Sequence, residues 1–63
     1  MKRKYIVERY ENDEWVLHSR HNNKEYAITN AEVVYSSRKL DIRIWHNGEV
    51  IFNQEDLMKL KGE

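Results

Sequence analysis

The chain contains no cysteine, which excludes disulfides and thiolate zinc sites together. It has no proline, and its two glycines, Gly48 and Gly62, fall at a turn and at a helix end. There is accordingly no glycine-rich phosphate loop and no proline-rich linker. Neither sign of charge dominates: eleven basic and eleven acidic residues cancel and are scattered along the chain, so nothing pulls it as a whole towards DNA or anionic lipid. Long apolar runs are also missing. Met1-Lys2-Arg3-Lys4 has the charge of a signal-peptide start, but Tyr5-Ile6-Val7 runs at once into Glu8 and Arg9, leaving no apolar stretch to follow it. These absences point to one soluble, cytoplasmic domain covering residues 1–63, read as a complete short reading frame. A proline-free chain rich in Lys, Glu, Asn, Ile and Tyr has the composition of AT-rich coding DNA, common in bacteriophages and mobile elements.

What is present begins with a hairpin. Leu40, Ile42 and Ile44 alternate with Asp41, Arg43 and Trp45, then His46-Asn47-Gly48-Glu49 turns the chain and Val50-Ile51-Phe52 returns. Asn-Gly between such runs is a strong hairpin signal, because a type I′ turn needs positive φ at both central residues. Weaker turn signals at Glu11-Asn12-Asp13-Glu14 and His21-Asn22-Asn23-Lys24 divide the N-terminal half. Strands are expected at about 4–10, 14–19, 25–29, 31–35, 39–45 and 50–52, each carrying β-branched or aromatic residues. In this reading Tyr10 faces Trp15, Leu17 faces Ile28 with Ile6 and Tyr26 on the same side, and Ile44 faces Ile51. The last strand runs into a helix over 54–61. Asn53 is its N-cap with Asp56 reaching back, Phe52 and Leu57 form a hydrophobic staple, Leu57, Met58 and Leu60 make its apolar stripe, and Lys59, Lys61 and Gly62 suit its end.

The expected fold is mainly β (β+α): a small antiparallel meander of five to six strands, curled or closed as an SH3-like small barrel, with a short C-terminal helix. So small a core needs support, and without disulfides or metal the expected support is self-association as a homodimer.

Chemistry is sparse. No nucleophile motif or recognisable pair of carboxylates is present, so an enzyme is not expected, nor a cofactor or small-molecule substrate. His18, His21 and His46 lack a convergent acidic partner and read as solvated turn residues rather than metal ligands. Lys2, Arg3, Lys4, Arg20, Lys24, Arg38 and Lys39 could form a basic edge, although Glu8, Glu11, Asp13, Glu14, Glu25 and Glu32 interrupt it. The distinctive surface is the polar-phase face of the last hairpin, where Trp45 opposes Val50 and Arg43 opposes Phe52. Aromatic residues and Arg on a rigid ribbon have the composition of a protein-binding hot spot. The leading expectation is a non-enzymatic interaction module, of phage type, that binds a host protein or its own copy through Arg43, Trp45, Val50 and Phe52. The alternative is a single-stranded nucleic-acid binder in which Trp45, Phe52 and Tyr35 stack on bases while Arg43, Arg38 and Lys39 hold the backbone. A structural oligomer subunit is the third.

Overall fold

Two pairs of residues in the left-handed conformation set the hairpins. Asn12 and Asp13 have φ of 56° and 66°, and Asn47 and Gly48 have φ of 57° and 84°. Positive φ at both central positions is the turn whose twist matches that of the flanking strands. In the computed structural model, which describes residues 4–61, the first turn joins β1 (Tyr5–Glu11) to β2 (Glu14–His21). The second joins β3 (Ile42–His46) to β4 (Glu49–Asn53), and each hairpin leads into a helix, α1 (Lys24–Arg38) and α2 (Gln54–Lys61). The chain thus passes twice through strand, turn, strand and helix, the two turns being offset by the same 35 positions that separate Glu8 from Arg43.

The strands form one four-stranded antiparallel sheet in the order β2-β1-β3-β4. It is open, with β2 and β4 at its edges, so the described residues form neither a closed barrel nor a sheet of five or six strands. The difference lies in α1, which occupies the segment expected to form strands at 25–29 and 31–35. Tyr26, Ile28, Thr29, Val33, Val34 and Tyr35 favour strands intrinsically, but the buried positions Ala27, Ala31 and Val34 fall at helical spacing. Asn23 supplies the missing start signal: its Oδ1 accepts the Glu25 N–H at 2.7 Å and the Tyr26 N–H at 3.2 Å. Lys39, at φ 61°, ends the helix by donating its backbone N–H to the Tyr35 carbonyl. Leu17 therefore faces Glu8 rather than Ile28.

Both helices cover the same face of the sheet. Val7, Ile42, Ile44 and Phe52 from the strands meet Ala27, Ala31 and Val34 of α1 and Leu57 of α2 in a single buried cluster. The two alanines let the α1 backbone lie close to the strands. At the start of α2 the Asn53 side chain accepts the backbone N–H of Glu55 and of Asp56, while Asp56 Oδ2 accepts the Asn53 N–H at 3.1 Å. The capping box is the one read from the sequence, and Phe52 and Leu57 are both buried beside it. Of the expected stripe only Leu57 docks; Met58 and Leu60 are exposed. Gly62 lies outside the described residues.

One irregularity decides which side chains share a face. Ile44 pairs with Phe52 and Trp45 with Val50, leaving Ile51 as an extra residue in β4. The expected pairings of Ile44 with Ile51 and Arg43 with Phe52 are thereby replaced: Arg43 faces Asn53, and Phe52 turns into the core. A second shift, between Val7 and Glu8, leaves His18 as the extra residue in β2.

Candidate docking face

Side chains alternate across a strand, so the residues between the core positions project from the other side of the sheet. Val7 and Ile44 are paired and buried, which puts Ile6 and Glu8 of β1 and Arg43 and Trp45 of β3 on the opposite face. Tyr10 of β1 shares this side, and the cross-strand neighbours of these residues, Trp15, Leu17 and Arg20 of β2 with Val50 and Asn53 of β4, extend the face to both edges. No described helix packs on it.

At its centre is a tight arrangement around one carboxylate oxygen. Glu8 Oε1 accepts a hydrogen bond from Arg43 Nε at 2.7 Å and another from Trp45 Nε1 at 2.8 Å. The Arg43 guanidinium carbon sits 4.1 Å from the ring centroid of Trp15 and 5.1 Å from that of Trp45. Cation–π attraction and a charge-assisted hydrogen bond thus fix the same group from different sides. Trp15 is in turn held edge-on by Tyr10, with centroids 5.2 Å apart and planes at 61°; this is the Tyr10–Trp15 pairing expected from the sequence. Around the centre Tyr10, Leu17 and Val50 keep 40%, 48% and 39% of their surface exposed. A shallow hollow of about 240 Å³ beside Trp45 is lined by Ile6, Glu8, Asn47 and Gly48.

This arrangement offers large, pre-set aromatic surface and a cation already neutralised by its neighbour. It holds no nucleophile, and Glu8 at its centre opposes an incoming phosphate.

Of the residues singled out from the sequence, Arg43, Trp45 and Val50 come together here, while Phe52 lies on the other side of the sheet, 8% exposed. Tyr35, Arg38 and Lys39 gather at the C-terminal end of α1, on the helix-bearing side, where Arg38 is engaged by Glu11 at 3.1 Å. The stacking set proposed for nucleic acid is therefore split between the two sides. The basic edge is divided: Lys4, Arg20 and Lys24 lie at the end where β1 begins and β2 ends, whereas Arg38 and Lys39 lie at the far end of α1, about 20 Å along a helix of 15 residues; Lys2 and Arg3 lie outside the described residues. Sequence reasoning missed Trp15 and Glu8 as members of the face. The available signal was the opposite charge of Glu8 and Arg43, but only the β1–β3 pairing brings them together.

The histidines are engaged rather than simply solvated. His46 stacks on Tyr5 with centroids 3.9 Å apart, and His21 shares a 2.8 Å hydrogen bond with Ser19. His18 Nδ1 lies 3.2 Å from Arg9 Nη1, while Arg9 Nε donates to Glu11 at 2.7 Å. Burial first, then the positive charges of Arg9, Arg38 and His21, lower the His18 pKa below the ordinary 6.5. The hydrogen bond from Arg9 is the main reason that Glu11 stays ionised below its ordinary 4.5. Among the described residues no group of three or more His, Asp or Glu could hold a metal ion, and no helix is long and apolar enough to cross a membrane.

Comparison of this chain with protein-family models, with curated proteins and with solved structures finds no match in any of the three.

Proposed function

We propose that this protein is a non-enzymatic interaction module that docks on a protein surface through the helix-free face of its sheet. The observation that carries this reading is the arrangement of Arg43 between Trp15 and Trp45, with Glu8 holding both Arg43 and Trp45 in place. Trp and Arg are the residues most often found to dominate binding energy when clustered at the centre of an interface, and here their side chains are ordered before any partner arrives. Tyr10, Leu17 and Val50 form the surrounding apolar rim. Single-stranded nucleic acid is the weaker reading, because its phosphates would meet Glu8 while Arg38 and Lys39 lie on the other side.

A photo-crosslinking residue placed at Leu17 tests the face against the same residue placed at Val33, which is 58% exposed on α1. Irradiated in the cell that makes the protein, the chain labelled at position 17 is expected to give discrete protein adducts that the chain labelled at position 33 lacks. Identical adducts from both positions, or none from position 17, would reject the docking face. Adducts with nucleic acid would move the assignment to the weaker reading.

A further inference from the structure

The docking face carries its own complement. We propose that its occupant is a second copy of this chain, packed sheet to sheet about a two-fold axis that lies in the interface and runs along the strands between β1 and β3. The inference rests on the reading that this face binds protein, and adds which protein.

Charge is the first argument. Glu8 and Arg43 are paired directly across the central β1–β3 seam, so the middle of the face holds one charge of each sign side by side. A partner patch of a single sign would attract one of them and repel the other. Rotation about the stated axis sets each copy's Glu8 over the other copy's Arg43, so opposite charges meet twice and like charges are not opposed. The same rotation lays each Trp45 over the Ile6 of the other copy, because Ile6 and Trp45 are also paired across the seam. It brings each β2 edge over the β4 edge of the other copy, Leu17 over Asn53 and Arg20 over Val50.

Area is the second. The four strands are five to eight residues long, rising about 3.3 Å per residue and lying about 4.8 Å apart. The sheet face therefore covers on the order of 400 Å² in outline, and two such faces together suit a weak, concentration-dependent contact rather than a large obligate one. Two sheets packed this way make an ordinary aligned sandwich with helices on both outer sides. The need for it is visible in the core, where the eight buried hydrophobic residues among those described include two alanines while both tryptophans lie on the other face. Chains this short commonly complete their apolar burial by association.

Sedimentation equilibrium from micromolar to millimolar concentration tests the proposal. The mass of the wild-type chain is expected to rise from 7.7 kDa towards twice that value. Leu17→Glu, which puts a carboxylate into the contact, and Val50→Arg, which sets a second cation over Arg20 of the other copy, are each expected to weaken association at least about tenfold. Val33→Glu on α1 should associate like wild type, and circular dichroism verifies that each variant keeps the fold. A wild-type chain that stays at 7.7 kDa throughout overturns the second copy. So does a dimer indifferent to both face variants. If the chain is monomeric yet crosslinks from position 17 to a different protein, the docking face stands and only its occupant was misassigned. A monomer giving no such adduct removes both readings.

Discussion

Glu8 shows how one side chain can organise a surface. Its Oε1 accepts from both Arg43 and Trp45, and its own side chain is only 23% exposed. Removing it leaves a guanidinium and an indole N–H without their acceptor, which costs more than an ordinary surface ion pair. Glu8→Ala and Arg43→Ala, combined in a double-mutant cycle by urea denaturation, are expected to show a coupling of about 1 kcal/mol. His18 makes a second prediction at this scale. Its folded pKa lies below the unfolded value of 6.5, so the unfolded chain binds more protons as pH falls through that region. The stability associated with neutral His18 is complete above the unfolded pKa and is lost as pH falls towards the folded one. His18→Gln should therefore flatten the stability profile on the acid side of neutrality, measured by denaturation at a series of pH values. Arg43, Trp45 and Val50 were legible in the sequence because strand alternation around Asn47-Gly48 puts them in one phase. Phe52 was not, because the extra Ile51 reverses the phase of β4 after Val50, and nothing local announces that shift.

Among the elements, the two helices make an instructive contrast. α2 has a capping box, a staple and a short polar run, all local signals, and it forms where those signals put it. α1 has the stronger tertiary role but a weaker local signature, because its docking stripe is built partly from Ala27 and Ala31 while apolar Tyr26 and Val33 face solvent. Six of its fifteen residues favour strands, and burial against β1 and β3 overrides them. Its Asn23 cap therefore matters more than average. Asn23→Ala is expected to cost about 1 kcal/mol, read from the denaturation midpoint, since it strips the acceptor from two backbone N–H groups. Both hairpin turns were legible, the first from Asn12-Asp13 and the second from Asn47-Gly48, as residue types that accept positive φ.

For the molecule as a whole, stability hangs on few side chains. Ile44 is fully buried at the junction of β1, β3 and β4, where it pairs with both Val7 and Phe52. Ile44→Ala should remove about 2–5 kcal/mol, a large part of the stability a domain of this size possesses, and the variant is expected to be substantially unfolded by circular dichroism. The strand order could not be read from the sequence, because hairpin signals specify neighbours along the chain and say nothing of which hairpin edge meets which. That choice is made at the β1–β3 seam, where five residue pairs join the two halves. Its location has a consequence for continuity of the chain. Each side of the linker at 39–41 owns a complete hairpin and the helix that follows it, and the linker adds to the sheet the Asp41 carbonyl, which accepts the Tyr10 N–H at 2.9 Å. A chain cut in that linker retains every hydrogen-bonded edge needed to rebuild the sheet. The seam then acts as a cohesive end through which two separately made fragments can find each other and restore the fold.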